Sequence, residues 1–177
     1  AAAMVREKER GTIEQLMVSP LSPFQIMFPK VLAMTAVILF CMSLALFGVL
    51  GLVFQVPMRG SLPLFYVVTT LYIFANAGLG LFAATIARNL AQVGLLSLLI
   101  LAPIILLSGT WTPPEAMPAW LRLATLASPL RHYIDASCGI LLKGAGLDSL
   151  WDSVLAIGIL GILIFSFGIR RFRRQFV

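Results

Sequence analysis

Residues 62–87 read LPLFYVVTTLYIFANAGLGLFAATIA, twenty-six positions without a single charged side chain. A helix crosses about 30 Å of hydrocarbon with roughly 20 residues, so this stretch alone is long enough to span a bilayer. Three further runs share its character: Val31–Phe54, Ala91–Leu107 and Val154–Ile169, all uncharged. Lipid offers no partner to backbone N–H and C=O groups, and the runs are too long and too uniformly apolar for barrel strands, so each is read as a helix. The predicted fold class is therefore all-α: a polytopic integral membrane protein with four transmembrane helices. Composition agrees, because only 11% of the 177 residues are charged, against about a quarter in soluble domains, and the mean hydropathy is +0.99.

Orientation follows from the charges between the runs. If successive connections alternate sides, Arg6, Lys8, Arg10, Lys30, Arg88, Arg170, Arg171, Arg173 and Arg174 share one side, while Arg59, Arg122, Arg131 and Lys143 share the other with Glu115, Asp135, Asp148 and Asp152. This excess of positive charge predicts that both ends and Arg88 are cytoplasmic. The whole net charge of +6 then lies on that face, which suits anionic lipid headgroups and not nucleic acid. Trp111, Trp120 and Trp151 fall on the outer side near predicted membrane edges, where amphipathic rings prefer to sit.

Two regions separate by composition: a polar segment, 1–30, and a transmembrane region, 31–177. In the first, Thr12 and Gln15 form a capping-box pattern followed by an apolar stripe of Ile13, Leu16 and Met17, and Ser19-Pro20 ends the helix. Ser22, Pro23 and Gln25 signal a second helix start, and Pro29 is expected to kink it. The longest outer connection, about 108–150, contains SGTWTPPEAMPAWL (108–121) and SPLRHYIDASCGILLKGAGL (128–147). Pro113-Pro114 and Ser128-Pro129 are helix-start signals, and Gly144-Ala145-Gly146 is a stop. Leu121, Leu123, Leu126, Ile134, Ile140, Leu141 and Leu142 are too apolar for a free loop. The expectation is two short helices that dip into the outer leaflet or cap the bundle without crossing.

Candidate chemistry is sparse. No G-x-x-x-x-G-K-[ST] occurs, so any ATP used is hydrolysed by another chain. The single histidine, His132, has no G-x-S-x-G and no charged partner at membrane depth, which gives a serine-protease reading little support and leaves a loop histidine, and one histidine with scattered acids makes no metal site. Cys41 and Cys138 are too far apart along the chain to suggest a bridge. Gly80 with Ala84, and Gly158 with Gly161, read as close helix packing or as a substrate-lining surface. Asn76 is the most polar side chain within a run, and reads as an interhelical hydrogen bond or a site.

That leaves REKERGTIEQL, residues 6–16, whose charges either fix topology alone or form a docking surface. The longer string REKERGTIEQLMVSPLSPFQIMFPK (6–30) resembles the cytoplasmic coupling segment of ABC-2 type permeases, the membrane subunits of ATP-driven exporters. SGTWTPPEAMPAWLRLATLASPLRHYIDASCGILLKG (108–144) is similar to that family's outer segment: a glycine after the fifth span, a proline pair, Met-Pro, then Pro-Leu-x-His. With the spacing of four spans and the basic RRFRRQF, the resemblance covers essentially the whole chain.

The resemblance implies a permease in a bacterial inner membrane, in the drug or multidrug export branch. It implies no cofactor on this chain, ATP on a partner cytoplasmic ABC ATPase subunit, and a second permease subunit in a homo- or heterodimer. Residues 12–19 become the candidate coupling helix. Ile13, Leu16 and Met17 would dock in the ATPase, and Glu7, Glu9, Arg10, Gly11, Thr12 and Glu14 would set charge and register. In the outer segment Gly109, Pro113, Pro114, Met117, Pro118, Pro129 and His132 become outer-gate candidates. Members usually have six spans, the first two flanking an outer domain. The sequence resembles the carboxy-terminal half, beginning at the cytoplasmic end of the second span, and does not start with Met; it is expected to be a fragment or a truncated gene product. A membrane scaffold and a passive pore are the alternatives that four spans and a basic face would also serve.

Overall fold

The structure, a computed structural model, describes residues 2–9, 23–110 and 116–176. Every regular element among them is helical: α1 (Ala2–Glu9), α2 (Pro23–Leu44, continued by a π-helical segment Ala45–Val53), α3 (Leu62–Ile86), α4 (Leu90–Leu106), α5 (Ala119–Thr125), α6 (Pro129–Lys143) and α7 (Leu147–Phe176). The expected helix 12–19, Ser22, Trp111 and Glu115 lie outside the described residues.

Local chemistry accounts for the boundaries. Ser61 starts α3, its Oγ accepting from Leu64 N at 3.5 Å, with a proline in the first turn. Asn89 starts α4: Asn89 Oδ1 accepts from Gln92 N at 2.8 Å while Gln92 Oε1 accepts from Arg88 N at 2.7 Å, a reciprocal cap that the sequence reading missed. Gly144 ends α6 at φ 66°, and Ala145 N donates to Gly139 O at 3.0 Å. Ser128 and Pro129 mark the start of α6 as expected, yet the Ser128 hydroxyl caps nothing and has no hydrogen-bond partner among the described residues. Pro29 lies inside α2 without ending it. The later part of that run is not α-helical as expected. Gly48 and Gly51 weaken the tighter winding there, and Phe54 N reaches back five residues to Val49 O at 3.0 Å.

Three helical stretches have the length and apolarity to cross a membrane: Phe24–Val53 with 30 residues, and Leu62–Ile86 and Leu147–Arg171 with 25 each. The fourth apolar helix, α4, has 17 residues, a rise of about 25 Å. Large apolar side chains face outward along these elements, among them Leu32, Val37, Phe40, Leu99, Ile162 and Leu163, as lipid-facing surfaces do. Polar side chains in the long helices satisfy themselves on their own backbone: Thr35 on Val31 O, Ser43 on Leu39 O, Thr69 on Phe65 O and Thr70 on Tyr66 O, all at 2.7–2.8 Å. Asn76 does the same, Nδ2 donating to Tyr72 O at 3.0 Å. The expected interhelical bond is thus replaced by one within α3.

Helix α3 is the axis of the bundle. It runs parallel to α7, because Ala75 meets Gly161, Gly78 meets Phe165, and the Gly78 carbonyl then meets Gly168. It runs antiparallel to α2, because Phe28 lies 6.2 Å from Phe74 by ring centroids while Ser43 Oγ lies 2.6 Å from Tyr66 Oη. The small-residue packing stripe is therefore Ala75, Gly78, Gly161 and Gly168. Of the two pairs expected, Gly161 belongs to it, Gly158 faces open space, and Ala84 packs in a different cluster.

Two cores result. Near one end, Leu46, Phe65, Val68, Ala136, Ile140 and Ile157 bring α6 onto α3 and α7. Near the other, Val5, Met27, Leu81, Ala84, Ala87 and Val93 join α1, α2, α3 and α4. The second end also carries Lys30, Arg88, Arg170 and Arg171, and is called the basic end below.

Candidate functional site

The basic end is where the polar amino-terminal segment meets the bundle. One turn of α1 is apolar through Val5, in a helix otherwise reading AAMVREKE. Val5 is fully buried among Met27 of α2, Leu81 and Ala84 of α3, and Val93 of α4, with Phe165 and Ile169 of α7 packed alongside. Val5 stands where a short apolar stretch gives way to the charges REKE, too short a stretch to give a periodic signal, so this anchor was not legible beforehand.

Four residues further, at the last position of α1, Glu9 Oε1 accepts from Leu90 N at 2.9 Å. Leu90 is the first residue of α4. Its N–H is one of the donors a helix leaves unsatisfied, and a carboxylate there also opposes the positive end of the helix dipole. Asn89, Gln92 and Glu9 together satisfy three backbone donors at Arg88, Leu90 and Gln92. Glu7 lies on α1, two residues before Glu9. Arg10, Gly11, Thr12, Ile13, Glu14, Leu16 and Met17 lie outside the described residues.

Above this node a cleft of about 650 Å³ opens between α2 and α3, reaching from Ala2 and Met27 to Met42 and Tyr133. Its walls are one face of each helix: Met27, Val31, Met34, Ile38 and Met42 at helical spacing on α2, with Ile73, Ala77, Gly80 and Leu81 opposite. Gly80 thus lines the cleft, one of its two expected readings. Methionines make such a wall adaptable. Lys30, near the basic end, and Asn76 also line it, and at the far end Tyr133 of α6 stacks on Tyr72 with centroids 4.3 Å apart and planes within 8°, its hydroxyl 3.2 Å from Thr69 Oγ1. The lining suits apolar or amphipathic surface. Among the described residues that line it there is no nucleophile and base pair for chemistry.

The outer-segment candidates are placed separately. Gly109 takes φ 83° just after α4, a conformation that favours glycine. Met117 is buried, and Pro118 opens α5 by accepting from Leu121 N and Arg122 N. Pro129 is buried as the first residue of α6. His132 Nε2 lies 2.9 Å from Leu126 O, and Arg131 bonds Thr125 and pairs with Asp135 at 3.9 Å, so this cluster closes the elbow between α5 and α6. Pro113 and Pro114 lie outside the described residues. Among the described residues no group of three His, Cys, Asp or Glu is placed to hold a metal ion, and Cys41 and Cys138 are free and exposed.

Comparison with known proteins gives these features a context. The chain is 39% identical over 173 residues to the inner membrane transport permease YhhJ of Escherichia coli (strain K12), covering 98% of this chain and 46% of that protein. It is 34% identical over 174 residues to the probable multidrug ABC transporter permease YbhR of the same organism, covering 98% and 47%. It is also 29% identical over 160 residues to ABC transporter G family member 20 of Dictyostelium discoideum, covering 89% and 22%. The chain spans about half the length of the first two relatives. No solved structure matches it. A family profile described as ABC-2 type transporter matches residues 1–142, which takes in the Val5 and Glu9 node, the cleft and nearly all of the outer segment, and the chain belongs to that family.

Proposed function

We propose that the chain is the membrane-embedded part of a permease subunit of an ATP-driven exporter, a transport subunit with no ATP chemistry of its own. It works with a cytoplasmic ABC ATPase and a second permease subunit, identical or different, in a bacterial inner membrane. The observation that carries this reading is the seating of α1 in the bundle. A charged helix fixed by a fully buried Val5 is in a position to move with the transmembrane helices, as a rigid coupling element must. The adjoining residues 12–19 supply the docking surface, with Ile13, Leu16 and Met17 as apolar anchors and Glu7, Arg10, Gly11, Thr12 and Glu14 setting register; Glu9, grouped with them on the resemblance, has its carboxylate on Leu90 N.

Four spans, with both ends cytoplasmic, belong to the same proposal. Two parallel spanning helices need a return crossing between them, and between α3 and α7 only α4 is long enough to make it. Lys30, Arg88, Arg170 and Arg171 share the end that would be cytoplasmic under the positive-inside rule. In the outer segment α6 caps the bundle, while α5 dips into the leaflet with Trp120, Leu123 and Leu126 turned outward. The exposed leucines of α4 beyond Leu96 form the face for the second subunit. Gly109, Pro113, Pro114, Met117, Pro118, Pro129 and His132 form the outer closure.

The test is purification from membranes followed by assay of an associated ATP-hydrolysing chain, with Leu16→Ala as the probe. An apolar anchor of this size contributes roughly 1.5–3 kcal/mol when buried, so its loss should weaken ATPase association about ten- to hundredfold. Normal association and normal transport-stimulated hydrolysis in Leu16→Ala would reduce residues 12–19 to a topology signal.

A further inference from the structure

At the basic end α3 and α7 are the pair held along their length, while α2 is tied to α3 at separate points with a cleft between. Helices α3 and α7 touch backbone to backbone at Gly78, Phe165 and Gly168, and α2 is tied to α3 through Ser43 and Tyr66. In α4, by contrast, Val93 is the one buried residue, and Leu96 is packed against the same cluster. Leu98, Leu99, Leu101, Ile105 and Leu106 are exposed. The direction of α4 is therefore decided at its first two turns. There it shares a cluster with α3 and α1, Val93 grouping with Leu81, Ala84, Ala87 and Val5, and the Glu9 carboxylate of α1 adds a hydrogen bond from Leu90 N across 81 residues of sequence.

We propose that Glu9 is a positioning residue that ties α4 to α1, so that a displacement of the coupling segment is delivered to α4 in preference to the paired helices. Glu9 thereby has a role apart from contact with the ATPase: its carboxylate is turned to the bundle. The neighbouring cap by Asn89 and Gln92 keeps α4 helical without Glu9, so the bond to Glu9 adds a connection between elements and is not needed for the helix itself. A carboxylate suits the task, since a charged acceptor on a backbone N–H makes a shorter and stronger hydrogen bond than a neutral one. The proposal rests on the coupling reading above.

The test uses the assembled transporter in membranes, lacking Cys41 and Cys138, with spin labels at Arg6→Cys on α1 and Leu101→Cys on α4. In the parent the distance between labels should be single and narrow with and without an ATP analogue. Glu9→Ala should broaden it and lower transport about tenfold, the size of a lost charge-assisted hydrogen bond, while ATPase association changes less than about twofold. Glu9→Gln retains an acceptor and should restore the narrow distance and most of the transport. An unchanged distance and unchanged transport in Glu9→Ala would overturn the proposal, and so would loss of ATPase association as large as that of Leu16→Ala. If Leu16→Ala binds the ATPase normally, the docking reading fails separately, and the label distances in Glu9→Ala still decide the role of Glu9.

Discussion

Gly78 and Phe165 approach so closely that a Cβ on Gly78 would sit 2.6 Å from both the Cα and the N of Phe165. No rotamer change relieves a clash with backbone, so α3 and α7 must separate to admit even one methyl group. Gly78→Ala should cost about 1–3 kcal/mol, as overpacking does, and lower the unfolding temperature in detergent. Gly158→Ala meets nothing within 4 Å and should be neutral or stabilising by up to about 1 kcal/mol through helix propensity. Equal melting of the two variants would contradict the parallel pairing.

Val5 offers a second contrast. Val5→Ala removes two buried methyl groups, worth about 1.5 kcal/mol at roughly 0.8 kcal/mol each, and Val5→Asp places an unpaired charge in the same pocket. Both should release α1 so that it can unravel and be cut by trypsin after Arg6, with Val5→Asp cleaved faster. Transport should fall in the same order while the melting of the α3–α7 pair stays near that of the parent. Parent-like protection of Arg6 in Val5→Asp would show that α1 is held by something other than this pocket.

Topology can be checked without any appeal to relatives. In a background carrying Cys41→Ser and Cys138→Ser, Arg59→Cys and Asp148→Cys should react with an impermeant thiol reagent from outside, and Arg88→Cys should react only after the membrane is opened. All three positions are exposed, so labelling reports the side and not burial. Outside labelling of Arg88→Cys would remove the four-span arrangement.

At the far end of the cleft the ring and the hydroxyl of Tyr133 can be separated. Tyr133→Phe keeps the stack on Tyr72 and loses the contact with Thr69, a change of about 0.5–1.5 kcal/mol. Tyr133→Ala loses both and should cost about 3–5 kcal/mol, the range for truncating a packed aromatic. Thermal melting of both variants distinguishes a stacking role from a hydroxyl role. Similar losses would mean that the Thr69 contact dominates.

The parts legible in the sequence were those set by local physics. Length and absence of charge located α3 and α4 to within a residue, and Ser128-Pro129 with Gly144 bracketed α6. What was left open or missed shares a cause, since each depended on which neighbour a side chain meets. Gly80 and Gly78 are two residues apart in the same run, yet one lines a cleft and the other touches α7. Asn76 had a backbone carbonyl of its own helix within reach and took it. The bond from Glu9 to Leu90 joins residues 81 apart, and no spacing rule covers such a distance. Apolar runs also do not mark helix ends: α7 extends from Leu147 to Phe176, well beyond its uncharged centre.

The sparse anchorage of α4 gives the molecule an uneven stiffness. Secured at Leu90, Val93 and Leu96 and bare beyond, it behaves as a rod clamped at one tip. A tilt of about 10° at the clamp would sweep the opposite tip, about 25 Å away, through about 4 Å. Small adjustments among a few side chains at the basic end would thus become atom-sized displacements at the far end of the helix.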